Sequence, residues 1–149
     1  MRLSILERRI LNSIQTDLPI SKEPFRELAK KLKVKEDDLI GRIKRLKERG
    51  IIRNFSASIS HKKLGFKSTL LALRVPPDKV EALAKKIVRH AEVTHCFLRE
   101  GDFNLWIVFI YKNGRLDSFL KNCTREIGSS NILNLATQRQ FKLKTAFKI

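Results

Sequence analysis

The spacing of apolar residues changes partway along the chain. Ile5, Leu6, Ile10, Leu11 and Ile14 recur at helical spacing and predict a helix over 5–15. Phe25, Leu28, Ala29 and Leu32 repeat the stripe, so a second helix is predicted over 24–32. Pro24 suits its first turn and a loop from Leu18 precedes it. Leu39, Ile43 and Leu46 mark a third helix over 36–49, which Gly50 ends. The run from Ile51 to Ile59 then reads as a pair of short strands. Three short helices and such a wing predict a winged helix-turn-helix over 1–66.

From there strand and helix patterns alternate. Residues 68–75 read as a strand, and 77–90 as a helix facing inward through Val80, Leu83, Ala84, Ile87 and Val88. Residues 93–111 read as a hairpin about Glu100-Gly101-Asp102. A helix over 116–127 uses Leu116, Phe119, Leu120, Cys123 and Ile127, and strand-like alternation fills 132–147. The order β-α-β-β-α-β predicts a ferredoxin-like domain over 67–149, and the chain as a whole reads as α+β. Two helices cover one face of such a sheet and leave the other open. Phe103, Leu105, Ile107 and Phe109 are assigned to that open face. A surface so apolar predicts a dimer through the sheet.

Composition narrows the class. The chain is 42% hydrophobic, enough for a real core, yet no apolar run approaches the roughly 20 residues of a membrane helix. Glu7, Arg8 and Arg9 interrupt any apolar leader, so a cytoplasmic protein without a membrane partner is expected. Cys96 and Cys123 make no disulfide framework, and with only His61, His90 and His95 they fall short of a zinc set. The net charge of +17 is spread over both halves and calls for an anionic partner or a very basic surface. A solvated, lysine-rich surface accounts for many of these charges equally well.

The hairpin carries the candidate chemistry. On a regular strand Val93, His95, Phe97 and Arg99 share one face, with His95 and Arg99 about 13 Å apart. Such a row is poor core design and a plausible floor for a flat, anionic, metal-containing ligand. The bland reading, a satisfied histidine and a rim arginine, competes with it. Trp106 lies one residue off the Phe103/Leu105 face, which favours core packing for it over a ligand contact.

Several segments resemble the leucine-responsive/asparagine regulator (Lrp/AsnC) superfamily over nearly the whole chain. They are Glu27-Leu28-Ala29, the run from Arg42 to Ile52, and Lys63-Leu64-Gly65-Phe66. Within that superfamily the chain is more similar to the siroheme decarboxylases than to the regulators. Val93-Thr94-His95 through Arg99 is similar to their histidine motif, and Phe103-Asn104-Leu105-Trp106 to their Tyr-Asn-Leu-Trp strand. The long loop before Pro24-Phe25 and the closing run from Leu135 to Leu143 match them as well. One departure is clear. Cys96-Phe97 stands where that family usually has Asn-Tyr, so a phenolic hydroxyl is missing. These enzymes are commonly built from two homologous subunits, and the departure raises the reading of this chain as the less catalytic one.

The resemblance implies siroheme as substrate, an iron macrocycle with eight carboxylates. It implies loss of two acetate carboxyl groups as carbon dioxide, in haem or haem d1 biosynthesis, with no cofactor beyond the iron tetrapyrrole itself. Arginine clamps carboxylates best because its planar fork binds two oxygens. Arg99 and Arg139 are the candidates, with Lys142 weaker; an ordinary exposed strand residue remains the alternative for Arg139. His95 is suited to ligate the iron first and to donate a proton second. Phe97 and Trp106 are candidates to border the macrocycle, and Asn104 either donates to a carboxylate or caps the turn. The implied partner is a homologous subunit or a second copy.

The rival class is a DNA-binding regulator of the same superfamily. In helix-turn-helix proteins the first residues of the recognition helix reach the bases. Here those positions are Glu36, Asp37 and Asp38, and Lys35 stands where regulators often place a serine. Carboxylates oppose phosphates, so no specific DNA partner is expected, although the same acids also suit a helix dipole. Arg42, Lys44, Arg45 and Lys47 remain available to a phosphate backbone. An assembling or amino-acid-sensing domain is the third reading.

Overall fold

The computed structural model describes residues 2–143 and 146–149. It divides into two compact units, one of residues 1–57 and 142–149 and the other of residues 58–141. The boundary therefore falls before residue 58 rather than after 66, and the final residues belong with the helical unit rather than with the sheet.

The helical unit holds α1 (Ile5–Thr16), α2 (Pro24–Leu32) and α3 (Glu36–Glu48). Ser4 and Glu7 cap α1 reciprocally. The Glu7 amide donates to Ser4 Oγ at 3.2 Å, and the Ser4 amide donates to Glu7 Oε2 at 2.7 Å. Pro24 opens α2 as the sequence predicts. Lys33 then turns the chain in the left-handed region at φ 57°, and α3 begins three residues later. Ile10, Leu11, Leu28, Leu32, Leu39, Ile43 and Leu46 close one apolar core.

Two expectations fail in this unit. Residues 51–59 contain no strand, so the wing is absent as a paired hairpin. The closing strand expected over 132–147 ends at Ala136; of its remainder, Lys144 and Thr145 lie outside the described residues. The C-terminal residues instead bond to side-chain amides of α1. Asn12 exchanges two hydrogen bonds with the Ile149 backbone at 3.0 and 3.1 Å, and Gln15 does the same with Phe147 at 3.1 Å. Amide side chains can mimic a strand edge in this way because each carries a donor and an acceptor.

The second unit holds β1 (Lys67–Leu73), α4 (Val80–Ile87), β2 (Val93–Leu98), β3 (Leu105–Tyr111), α5 (Arg115–Ile127) and β4 (Ile132–Ala136). Its helix α4 starts at Val80 rather than at 77, because 77–79 form a turn. The strand order is β2-β3-β1-β4, and every neighbouring pair is antiparallel. This is the predicted ferredoxin-like arrangement. Leu71, Leu73, Leu105, Ile107 and Phe109 form its core with Leu83 and Ile87 of α4 and Leu116, Phe119 and Cys123 of α5. Leu105, Ile107 and Phe109 thus lie under the helices, not on the open face where the sequence reading put them.

Candidate active site

Register decides what the open face carries. Phe97 pairs with Trp106, Trp106 with Ala72, and Ala72 with Leu133. Directly paired residues share a face. Trp106 therefore stands with Phe97 on the face away from the helices, against the expectation of core packing. The next row runs His95, Val108, Leu70, Leu135. Four strands about 4.8 Å apart make a floor about 14 Å wide between the two edges.

A β-bulge sets the phase. Val93 opposes Phe109, but His95 already opposes Val108, so Thr94 is the extra residue. Val93 packs against the helix-side core together with Cys96, three residues on. The sequence reading placed Val93 beside His95 because it assumed unbroken alternation; the bulge separates them. Beyond it the alternation is regular and the rest of the row stands. The His95 and Phe97 rings are 5.9 Å apart, and the Arg99 guanidinium lies 5.5 Å from the Phe97 ring centroid. Phe97 thus sits between the two polar groups and stacks on the arginine, which leaves the charged fork at the surface. All three residues are exposed.

The loop between β2 and β3 is held by its own backbone. The Arg99 amide donates to the Asn104 carbonyl at 2.7 Å, and Gly101 adopts φ 118°, open to glycine and strained for other residues. Asn104 is committed to Val75: its Nδ2 donates to the Val75 carbonyl at 2.8 Å and its Oδ1 accepts from the Val75 amide at 3.0 Å. It latches the hairpin loop to the segment after β1 and does not present its amide to the open face. Trp106 Nε1 donates to the Phe103 carbonyl at 2.7 Å, which fixes the indole across the sheet surface.

Two further sequence candidates fall outside the paired strands. Arg139 follows β4, at the sheet edge opposite β2, with its guanidinium 4.8 Å from the Phe141 ring centroid. Lys142 falls in the C-terminal segment of the helical unit. Two residues that the sequence reading left aside border the face. Ser68 pairs with Ile110, one row beyond His95, and His61 Nε2 lies 3.2 Å from Ser68 Oγ. Nothing in the sequence marks that position, because only the strand register shows which face Ser68 occupies.

Neither cysteine offers a thiolate. Burial pushes the Cys96 thiol up, and burial together with Glu126 pushes Cys123 up to about 11. Among the described residues no group of three or more His, Cys, Asp or Glu side chains is placed to hold a metal ion. No helix among them is long and apolar enough to cross a membrane.

The face therefore presents an imidazole, a guanidinium and aromatic surface on a flat floor, the equipment for a planar anion. Comparison with known proteins identifies the family. Residues 7–53 match the siroheme decarboxylase NirDL-like helix-turn-helix domain, and residues 63–142 the AsnC-like ligand-binding domain. The chain is 34% identical over 148 residues to the siroheme decarboxylase alpha subunit of Nitratidesulfovibrio vulgaris, covering 99% of this chain and 84% of that one. It is 33% identical to the siroheme decarboxylase NirD subunit of Pseudomonas aeruginosa, covering 97% and 95%. The crystal structure of siroheme decarboxylase NirDL with an iron-uroporphyrin III analogue superposes with a TM-score of 0.70 at 29% identity, over 95% of this chain and 47% of that one. An AsnC family transcriptional regulator from Agrobacterium tumefaciens superposes with a TM-score of 0.79 but at 21% identity, over 97% of this chain and 96% of that one, a likeness of fold alone. The fold is common to enzymes and regulators and does not separate them; sequence identity does. The chain belongs to the siroheme decarboxylase family, built on the Lrp/AsnC fold.

Proposed function

We propose that this chain is a siroheme decarboxylase subunit that seats siroheme on the open face of its sheet. The observation that carries the reading is the His95–Phe97–Arg99 row, with Trp106 beside it, on the face the helices leave uncovered. Phe97 and Trp106 border the macrocycle. Arg99 pairs with a peripheral carboxylate, and Arg139 serves carboxylates at the opposite edge. His95 faces the substrate iron as a ligand, with proton donation as its second role.

Each cleavage converts an acetate arm into a methyl group. The bond from the methylene carbon to the carboxylate breaks, carbon dioxide leaves, and the electron pair stays on the carbon, which takes a proton. No electron enters or leaves, so no cofactor beyond the iron tetrapyrrole is required. The two arms to be cleaved must stay free of strong ion pairs, because a guanidinium that stabilises the carboxylate raises the barrier to losing it. A sparse set of arginines on an otherwise apolar floor fits that need.

A homologous subunit completes the site. Phe97, Leu133 and Leu135 are exposed on this face, which is too apolar to stand alone in water. Phe97, without a phenolic hydroxyl, supports assigning the proton-donating step to the partner. We place the reaction in the cytoplasm, as a step of haem or haem d1 biosynthesis. No specific DNA partner is proposed. Glu36, Asp37 and Asp38 occupy the first turn of α3, and Arg42 is tied to Asp38 at 3.0 and 3.1 Å.

The test is anaerobic incubation of the purified chain with siroheme, with and without its homologous partner, followed by mass analysis of the tetrapyrrole. Successive losses of two carbon dioxide units are expected with the partner present. Unchanged siroheme with both subunits, together with a sequence-dependent DNA footprint at physiological salt, overturns the reading in favour of a regulator.

A further inference from the structure

Adjacent residues of a regular strand point to opposite faces, so their side chains do not meet. Thr94 and His95 break this rule. The bulge leaves Thr94 as the extra residue beside His95, and His95 Nδ1 lies 3.0 Å from Thr94 Oγ1. The same hydroxyl donates to the Val108 carbonyl at 3.3 Å.

A hydroxyl has one proton, and a carbonyl oxygen only accepts. If the threonine proton serves Val108, the contact with His95 is made only when Nδ1 carries a proton and donates to Oγ1. Both bonds form together in one arrangement, Nδ1–H to Thr94 Oγ1–H to Val108 O. In the neutral ring that leaves Nε2 bare, on a side chain that is exposed. The partner of one imidazole nitrogen sets what the other can do.

We propose that Thr94 is a positioning residue, placed by the bulge to hold His95 in the Nδ1–H form so that Nε2 is presented as a lone-pair donor on the open face. The tautomer stands on the geometry alone; its use toward the iron rests on the function proposed above. A neutral ring in this form accepts or ligates through Nε2 and has no proton there to give. The iron-ligand role of His95 is thereby favoured over proton donation.

The experiment reads the ring directly. Long-range nitrogen–proton correlation spectra of the 15N-labelled chain are recorded at about pH 8.5, above the ordinary imidazole value of ~6.5. The His95 signals are identified by their loss in His95→Ala. A protonated Nδ1 and a bare Nε2 are expected in the parent. Thr94→Val keeps the shape and β-branch and removes the hydroxyl, so the ring should move toward the Nε2–H form. Thr94→Ser should restore the parent spectrum. With an iron uroporphyrin as probe, Thr94→Val should weaken His95-dependent binding by about 10- to 100-fold, with Thr94→Ser recovering it.

A parent ring already in the Nε2–H form overturns the proposal. So does a Thr94→Val ring identical to the parent in a variant whose circular dichroism is unchanged. A ring that responds to Thr94 as expected, with an iron spectrum indifferent to His95→Ala, upholds the role of Thr94 and overturns the ligand role of His95.

Discussion

The two faces of the four-stranded sheet are made by the same strands and do opposite work. On one, Leu71, Leu73, Leu105, Ile107 and Phe109 are 0–1% exposed beneath α4 and α5. On the other, the same strands hold out His95, Phe97, Trp106, Leu133 and Leu135, on the face opposite α4 and α5. The difference between core and site is one step of alternation. In β2 even that step is adjusted, because Thr94 shifts the phase. Val93 and Cys96 feed the core while His95 and Phe97 stay outside. One inserted residue thus serves packing and chemistry at once.

Substitutions that separate stability from binding sharpen this contrast. Phe109→Ala, in the core, should cost about 3–5 kcal/mol in urea unfolding. Phe97→Ala, on the open face where the ring is 49% exposed, should stay within about 1 kcal/mol yet weaken tetrapyrrole binding. Equal stability losses would erase the distinction between the faces. Arg99→Ala comes next. It removes a charge-assisted contact and should weaken siroheme binding by ~1.5–3 kcal/mol in a spectroscopic titration, with the unfolding midpoint unchanged. Asn104→Ala tests the latch between the hairpin loop and Val75. It leaves a backbone donor and acceptor without their partner, so a stability loss of about 1–3 kcal/mol is expected, with siroheme affinity changing less than in Arg99→Ala.

The smallest effect belongs to the helix side and depends on pH. Cys123 has its thiol raised from the ordinary 9.0 to about 11 by burial and by Glu126. The native state keeps the proton longer than the unfolded chain, so this stabilisation is present below pH 9.0 and lost as pH rises toward about 11. Thermal unfolding between those values should fall more steeply for the parent than for Cys123→Ala. Equal slopes would show that the thiol is not held protonated by the core.

Much of the architecture was legible in the chain. The helical stripes, Pro24 at a helix start, Gly50 after a helix end and the alternation of the second half led to helix-turn-helix plus ferredoxin-like sheet. The His95–Phe97–Arg99 row was legible as well, because it lies beyond the bulge where period two holds. What failed did so for identifiable reasons. Residues 51–59 have strand-like composition, but a strand exists only where a partner takes its hydrogen bonds, and among the described residues none does. Trp106 and the Leu105/Ile107/Phe109 set were exchanged between faces, because alternation says that two faces differ without saying which one the helices cover. Asn104 stayed open between a carboxylate contact and a turn cap because its partner, Val75, lies far off in sequence.

The sequence by itself determined helices α1 to α5, the order of the sheet strands along the chain and the family, since local periodicity and short motifs depend on near neighbours. The tertiary structure alone decided strand register, the phase shift at Thr94, and which side chains meet: Phe97 with Trp106, Thr94 with His95, Ser68 with His61. Register is a property of paired strands, and a one-residue slip reverses every side chain on one of them. No single strand carries that information, which is why the site became legible only once the sheet was assembled.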